Sequence, residues 1–426
     1  MKKRTSIEAV ESSAVCYDTL EQWAREHIQA QLQELLEEEV TTFLGRARHE
    51  RRSTVTPVDP PVGSRNGYGK PRQFSMINGT VTVRRPRVRD LAERFESKIL
   101  PLFKRRTTEV GVLLPELYLH GLSIGDFELA LRGLLGEGAP LSASSIQRLK
   151  ARFELEYETW TKRDLSDLEV VYWWADGLYV KAGIADRKSA LLTIVGALTT
   201  GEKIVLACES GERESKDSWL TVLRRLRERG LKFPRLTVAD GHLGIWAAIG
   251  AIHPAGEEQR CWNHKLTNVL DALPKKAQAT ATELLKAMPY AETQADCERQ
   301  RDAFARLYRK TDPKAVDTLL RDWDRLVTFY AFPKEHWIHL RTTNIVESPF
   351  ASVRLRTDAS RRYKRVESAQ AIIWKMLTVA EKTWRKLNAP ELLPLVASGV
   401  PFKDGKMRRA GSVNRDRNDQ SERTAA

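Results

Sequence analysis

The sequence predicts an α/β fold in which a mixed β-sheet core is interrupted by helices and preceded by a mainly helical region. Residues 168–211 contain three apolar runs joined by short turns. A helix, a strand and another helix follow them, which gives the order β-β-β-α-β-α. Residues 275–335 are helical and charged throughout, and residues 107–163 show a helical pattern as well. The β-β-β-α-β-α order is that of a ribonuclease-H-like core, in which residues 275–335 form an α-helical insertion.

The composition indicates an intracellular protein with a polyanionic partner. The 426 residues include 70 Lys and Arg against 56 Asp and Glu, and the resulting charge of +14 favours binding to phosphate backbones. No stretch is long and apolar enough to cross a membrane, and the basic start MKKRTS lacks the apolar segment of a signal peptide. Four cysteines without a CxxC motif argue against a disulfide framework. We therefore expect a cytoplasmic protein that does not bind membranes.

Residues 1–105 are predicted to form a helix, a basic arm and a hairpin. Apolar residues at helical spacing over 19–45, closed by Gly45, predict an amphipathic helix for packing or self-association. The stretch 46–73 is rich in Arg, Pro and Gly, and it suits either a basic arm on a phosphate backbone or a solvated linker. Alternating residues around Asn78-Gly79 predict a hairpin. Its second arm carries Arg84, Arg85, Arg87 and Arg89.

Residues 106–165 are predicted to form three helices separated by the breaks GLS and GEGAP. The last helix carries Arg148 and Lys150, and the arrangement is that of a helix-turn-helix-like DNA-binding bundle. Any small three-helix bundle would show the same pattern, so entry of this helix into a DNA groove is a hypothesis. The rest of the chain divides into a first core segment (166–274), the α-helical insertion (275–335), a second core segment (336–400) and a disordered tail (401–426).

The tripeptide Ala-Asp-Gly occurs twice, each time after an apolar strand. Its carboxylates are Asp176 and Asp240. Either one alone would be interpreted as an ordinary Asp-Gly turn. Two carboxylates at the ends of neighbouring buried strands repel each other, however, and a shared cation relieves that repulsion. Oxygen ligands of this kind suit Mg²⁺ or Mn²⁺, and two such ions support phosphodiester chemistry.

Glu347 is the candidate for a third carboxylate, because it lies at the start of a predicted helix beyond the α-helical insertion. Val346, Phe350 and Val353 fall on one face of that helix, which predicts a buried side next to the acid. Asn344 as N-cap with Glu347 three residues later would equally form a capping box that needs no catalysis. Pro349 allows another start, with the cap at residue 348 and the proline in the first turn.

Two pairs with the spacing of metal ligands are also present, Cys261-x-x-His264 and His336-x-x-His339. Their ligand types would serve a zinc site. The pairs lie far apart in the sequence and suit buried polar packing equally well.

Several segments together resemble the Mutator-like family of bacterial insertion-sequence transposases. They include WWADGLYV, TVADGHLGIWAAI, QRCWNHKLTNVLDALPKK and HWIHLRTTNIVESPFASVRLRT, with SRNGYGKPR, RRPRVRD and GERESKDSW before and between them. The resemblance runs in order from about residue 60 to 390. It implies a DDE transposase whose metal-binding triad is Asp176, Asp240 and Glu347. That enzyme would cut and join DNA at terminal inverted repeats through a circular intermediate.

The resemblance also implies roles for residues outside the triad. It places Cys261 and His264 near the second aspartate in a supporting role, and it makes the nucleoid the expected location. The candidate DNA contacts are basic or aromatic and lie at Arg84, Arg85, Arg87, Arg148, Lys150, Arg260, Trp262, Lys265, Arg354 and Arg356. The partners are double-stranded terminal repeats and target DNA, held by a homodimer or larger assembly. A catalytically inactive DNA-binding regulator and a nuclease of the same core fold are the alternatives.

Overall fold

A computed structural model describes residues 6–50, 63–91, 94–102, 104–122, 124–135, 143–182, 188–211, 213–360 and 362–408. The chain forms two compact units, Met1–Leu149 and Lys150–Ala426. The boundary between the units lies within the third predicted helix of the DNA-binding bundle. No helix among the described residues is long and apolar enough to span a membrane.

The first unit combines a long helix with two short antiparallel strand pairs. Its elements are α1 (Ser6–Leu44), β1 (Ser64–Tyr68), β2 (Arg72–Met76), β3 (Gly79–Val83), β4 (Pro86–Arg89), α2 (Thr108–Leu119), α3 (Ile124–Leu135) and the beginning of α4 (Ala143–Thr161). The helix predicted over 19–45 is present as roughly the last two thirds of α1. Its Leu36 is buried in a cluster with Phe74, Val81 and Val83, so α1 covers one face of the β2–β3 hairpin.

The predicted hairpin is present, but its second arm is shorter than predicted. Met76 of β2 pairs with Gly79 of β3, which has a φ of +120° that favours glycine. The arm ends at Val83. Residues 86–89 form β4 and pair with β1, which lies in the stretch predicted to be a loose arm or linker. Pro86 lacks an N–H group and opens β4 at its first position, where this loss is tolerated.

The second unit is built on a mixed sheet. Its first elements are β5 (Val170–Lys181), β6 (Lys188–Leu198), β7 (Lys203–Gly211), α5 (Lys216–Glu228), β8 (Leu236–Ala239), α6 (Leu243–Ile252) and β9 (Glu257–Arg260). The strands lie in the order β7-β6-β5-β8-β9, with β6 antiparallel to both neighbours and β5, β8 and β9 parallel. The predicted β-β-β-α-β-α order is therefore correct.

Alternating residues of the central strand β5 pack on opposite faces of the sheet. Trp173 and Ala175 join the core formed with α5 and α6. On the other face, the Tyr172 hydroxyl lies 2.9 Å from Nδ1 of His336, and the Trp174 indole N–H donates to the His339 carbonyl at 2.9 Å. Since side chains alternate along a strand, Asp176 belongs to this second face.

The remaining elements of the second unit are mostly helical. They are α7 (Trp262–Asp271), α8 (Lys275–Ala287), α9 (Gln294–Tyr308), α10 (Pro313–Leu320), α11 (Trp323–Val327), α12 (Trp337–Leu340), α13 (Asn344–Glu347), α14 (Phe350–Ser360), α15 (Val366–Glu381), α16 (Leu393–Ala397), β10 (Phe402–Lys403) and β11 (Lys406–Met407). The prediction of a disordered tail from residue 401 is wrong for the β10–β11 hairpin. Phe402 is buried and Gly405 donates its N–H to the Tyr330 carbonyl, so the polar segment is ordered by the helices on which it packs. Residues 409–426 lie outside the described residues.

Candidate active site

The register of two parallel strands places the two predicted aspartates side by side. Ala175 of β5 pairs with Ala239 of β8, and Asp176 and Asp240 directly follow these two residues. The Gly177 N–H donates to Oδ1 of Asp176 at 2.9 Å, and the His242 N–H donates to Oδ1 of Asp240 at 2.8 Å. Asp176 is not at a strand end as predicted, because β5 continues to residue 181 through its pairing with β6. Only its pairing with β8 ends there.

A further carboxylate, Glu214, joins the two aspartates. It lies just before α5 and is 7% exposed. One oxygen each of Asp176, Asp240 and Glu214 lie within 4.8 Å of one another, close enough for the three to hold one cation. Sequence reasoning missed Glu214. The available signal was its position inside the string GERESKDSW, directly before a Ser N-cap.

Glu347 is the last residue of the short helix α13, whose N-cap is Thr343. The Thr343 hydroxyl donates to the Glu347 carboxylate. The capping-box interpretation is wrong, since the Asn344 side chain accepts a hydrogen bond from Asn263 at 3.2 Å rather than capping the helix. Pro349, which has no N–H, separates α13 from α14. The predicted buried face is correct, because Val346, Phe350 and Val353 are buried.

The Cys-x-x-His pair lies against Glu347. One ligand atom each of Cys261, His264 and Glu347 lie within 4.8 Å of one another, and Nδ1 of His264 is 3.8 Å from Oε1 of Glu347. Cys261 is fully buried and accepts the Thr343 N–H on its sulfur at 3.4 Å. Among the residues that the structure describes, His336 and His339 do not join this group. They bond instead to Tyr172, Ala389 and Asn388, so the four-ligand zinc set is not assembled.

The acids of the site crowd one another, and His264 lies close to them. Burial, followed by the charges of Glu347 and Asp240, raises the pKa of Asp176 to about 7. The pKa of Glu214 is raised mainly by burial and then by Asp240. The Cys261 side chain as hydrogen-bond partner, and the charges of Glu347 and Asp240, raise the pKa of His264 to about 9 against the effect of burial. A protonated His264 therefore offsets some of the negative charge.

Four of the predicted DNA contacts are buried, and their assignment is corrected. Arg260 pairs with Asp322 at 2.8 Å, and Trp262 donates its indole N–H to the Leu326 carbonyl at 2.8 Å. Lys265 donates to the Arg321 carbonyl, and burial together with the charge of Arg260 lowers its pKa to about 7. Arg356 is 2% exposed. The exposed fraction of these side chains depends on packing between distant segments, which a local charge pattern does not reveal.

The other predicted contacts lie at the surface of their units. Arg84, Arg87, Arg148 and Arg354 are exposed, whereas Arg85 and Lys150 are half-buried. Arg85 and Arg87 also line a groove of about 440 Å³ in the first unit. The charged residues of this groove are Lys70, Arg72, Arg85, Arg87, Arg94, Glu96 and Arg105. Within the described residues, Nε of Arg85 is buried without a hydrogen-bond partner. The groove can therefore accept an anion.

The raised pKa of Asp176 leads to a prediction about metal-free protein. At pH values between 3.8, the usual pKa of this carboxyl, and about 7, Asp176 holds a proton in the folded state that it has released in the unfolded chain. The free energy of unfolding therefore falls as the pH rises toward 7. Asp176→Asn removes the ionisable group and with it this loss of stability. In EDTA we expect the variant to be more stable than wild type by roughly 1–2 kcal/mol at pH 8, with the difference shrinking toward pH 5.5. Urea unfolding at both pH values measures it.

The control for this measurement is Glu283→Gln, which changes an exposed carboxylate in the middle of α8. Its stability difference from wild type should be the same at both pH values. A stability difference for Asp176→Asn that does not change with pH would contradict the account of the site's electrostatics.

Comparison with known proteins identifies the family. Residues 1–387 match the profile described as "Transposase, Mutator family". The chain is 43% identical over 295 residues to the transposase of insertion sequence element IS6120 from Mycolicibacterium smegmatis, which covers 69% of this chain and 91% of the relative. It is 40% identical over 278 residues to the transposase of IST2 from Acidithiobacillus ferrooxidans, covering 65% and 94% respectively.

Among solved structures, the catalytic core domain of HTLV-2 integrase in complex with magnesium is similar to 27% of this chain, over 84% of its own length. The sequence identity is 16% and the TM-score is 0.17. The family assignment rests on the sequence matches, which extend over most of the chain and most of each relative. The chain belongs to the Mutator family of transposases, enzymes that act on DNA.

Proposed function

We propose that this transposase uses a ribonuclease-H-like core, interrupted by an α-helical insertion, to cut and join DNA with divalent metal ions at Asp176, Asp240 and Glu347. The observation that carries the proposal is the Ala175–Ala239 pairing, which fixes two aspartates next to each other. Among the described residues, neither aspartate forms an ion pair with Lys or Arg. The order β7-β6-β5-β8-β9, with its first three strands antiparallel and its last three parallel, supports the fold assignment.

The donor atoms fit Mg²⁺ or Mn²⁺. Asp176, Asp240 and Glu214 offer only carboxylate oxygens, which hard divalent cations prefer. Bound in this site, such ions would activate the attacking hydroxyl and stabilise the leaving oxygen of a phosphodiester. The group formed by Cys261, His264 and Glu347 contains sulfur and nitrogen and is a poorer match for these ions.

The surrounding residues have distinct roles in this proposal. Asp176 and Asp240 hold the metal ions from the strand edges, and Glu347 approaches from α13 on the same face as Asp176. The Thr343 hydroxyl and His264 orient the Glu347 carboxylate, since both contact it. Cys261 holds the start of the 343–347 turn by accepting the Thr343 N–H. Cys261 and His264 therefore act as positioning residues rather than as ligands.

Basic residues at the surface of each unit would contact the DNA. In the first unit, the groove that contains Arg85 and Arg87 would hold a phosphate backbone, with Arg84 beside it. Arg148 and Lys150 would contact DNA from the helix α4. Arg354, which is exposed on α14 five residues after Pro349, would do so near Glu347. The DNA would be the terminal inverted repeats of the element and the target duplex.

We further propose that the reaction proceeds through a circular intermediate and is carried out by a homodimer or larger assembly. Water would cleave the phosphodiester at one end of the element and leave a 3′-hydroxyl on the element. This hydroxyl would attack the phosphodiester at the other end, where the bond to the flanking strand breaks and the flanking 3′-hydroxyl leaves. Both steps are in-line displacements at the same set of carboxylates. Holding two ends at once requires two DNA-binding surfaces, which two copies of the chain provide.

The proposed reaction predicts a specific DNA product. When the protein is expressed beside a plasmid carrying its gene with native flanking DNA, sequencing should detect junctions that join the two element ends. Glu347→Gln and Asp240→Asn should reduce these junctions by about 10³-fold or more, because each removes a ligand from a site that acts as a unit. Glu283→Gln, an exposed acid in α8, should leave junction formation unchanged.

Junctions that persist in Glu347→Gln would show that another acid completes the site. If neither wild type nor variant forms junctions while purified protein binds the flanking DNA, the chain is a DNA-binding regulator.

The groove of the first unit gives a second prediction. Replacing Arg85 and Arg87 by Ala should weaken binding to every duplex tested. The slope of log K against log salt should fall by about 0.9 for each phosphate that the variant no longer neutralises. Fluorescence anisotropy at several salt concentrations measures both effects. Lys286→Ala removes an exposed cation from α8 and should change neither. An unchanged salt slope in the double variant would show that this groove does not bind DNA.

A further inference from the structure

Glu214 is not one of the three carboxylates proposed above, although one of its oxygens lies within 4.8 Å of an oxygen of each aspartate. It precedes Ser215, whose hydroxyl accepts the Ser218 N–H and caps α5. The carboxylate therefore extends from a fixed helix start toward the edge of the sheet. Glu347, by contrast, clusters with Cys261 and His264 rather than with this trio.

Two glycines make room for Glu214 in this position. A Cβ at Gly177 would lie 2.4 Å from both the carboxyl carbon and Oε1 of Glu214. A Cβ at Gly244 would lie 2.3 Å from the Glu214 carbonyl oxygen. Gly177 is the glycine of the first Ala-Asp-Gly tripeptide. It allows Glu214 to reach across β5 toward Asp176, and any larger residue would block this approach.

The partners of Glu214 do not balance its charge. Tyr179, His242 and His264 lie close enough to Glu214 to lower the pKa of its carboxyl, but burial and Asp240 raise that pKa by more. Among the described residues it forms no ion pair with Lys or Arg. Glu209 shows the contrast, because it is similarly buried but bonds to Arg225 at 2.6 Å. A buried carboxylate without a paired cation is costly unless a cation is supplied from solution.

We propose that Glu214 is a further ligand of the metal ion held by Asp176 and Asp240. This inference rests on the proposed function, since it concerns the same metal site. With Glu347 included, the site then has four carboxylates, whose charge two divalent ions would neutralise. Glu214 lies before α5 and Glu347 lies on α13. Asp176, Asp240 and Glu214 would therefore hold one ion, and Glu347 would contribute to holding the other.

A measurement of metal affinity distinguishes a metal ligand from a residue that only supports the fold. Isothermal titration calorimetry of the full chain with Mn²⁺ should show about tenfold or greater weakening of one binding event in Glu214→Gln. Strand joining in this variant should require a correspondingly higher Mg²⁺ concentration. Gly177→Ala should give the same change in affinity, because the added Cβ displaces the Glu214 carboxylate without removing any acid.

Asp217→Asn is the matched control, since Asp217 is exposed and lies three residues further along, in the first turn of α5. It should bind Mn²⁺ as wild type does. Mn²⁺ affinities equal to wild type in Glu214→Gln and Gly177→Ala would overturn the inference, even if the thermal stability of these variants fell. If wild type binds Mn²⁺ and Asp176→Asn does not, the proposed function stands whichever result Glu214 gives. If wild type itself does not bind Mn²⁺, the proposed function and this inference both fail.

Discussion

The pairing of Ala175 with Ala239 is the constraint on which the rest of the site depends. Hydrogen bonds between β5 and β8 fix this register, and the register places the two following aspartates next to each other. Two unit charges within 4.8 Å repel by about 3–4 kcal/mol at an effective dielectric constant of about 20. The burial of apolar residues on both faces of the sheet offsets this repulsion. A cation bound between the acids, as proposed, would relieve this repulsion.

Other features near the strand ends follow from this pairing. Gly241, after Asp240, has a φ of +96° and leaves space for the Arg260 side chain, which turns inward to pair with Asp322. The chain then passes from β9 into α7, where Cys261 and His264 contact the 343–347 turn. The acid on α13 is thus positioned relative to β8 through the start of α7. Changes in this connection would alter the position of Glu347 without removing any carboxylate.

Much of the fold could be predicted from the sequence, because local patterns determined it. The apolar runs predicted the strands and their order, and Asn78-Gly79 predicted a hairpin. Spacing in the Glu347 segment predicted the buried side of its helices. The two Ala-Asp-Gly tripeptides also predicted that Asp176 and Asp240 would meet, because each follows the apolar residues of a buried strand. These features could be predicted because short local patterns mark them.

The incorrect predictions concern contacts between distant segments. The family resemblance implied that Arg260, Trp262 and Lys265 contact DNA, but their partners at 321–326, which lie between α10 and α11 and on α11, bury them. The residues next to Asn344 fit a helix cap, but its side-chain oxygen instead accepts a hydrogen bond from Asn263, which is 81 residues earlier in the chain. Glu214 was missed for the same reason. Nothing in GERESKDSW indicates that Gly177, 37 residues earlier, leaves space for its carboxylate.

A crystal structure of the full chain in Mn²⁺ would show whether the strand pairing creates a metal site, because anomalous scattering locates the ion without reference to activity. We expect an anomalous peak in contact with carboxylate oxygens of both Asp176 and Asp240. If peaks appear only elsewhere at saturating Mn²⁺, or if the two carboxylates share a proton with no ion between them, the strand pairing does not create a metal site.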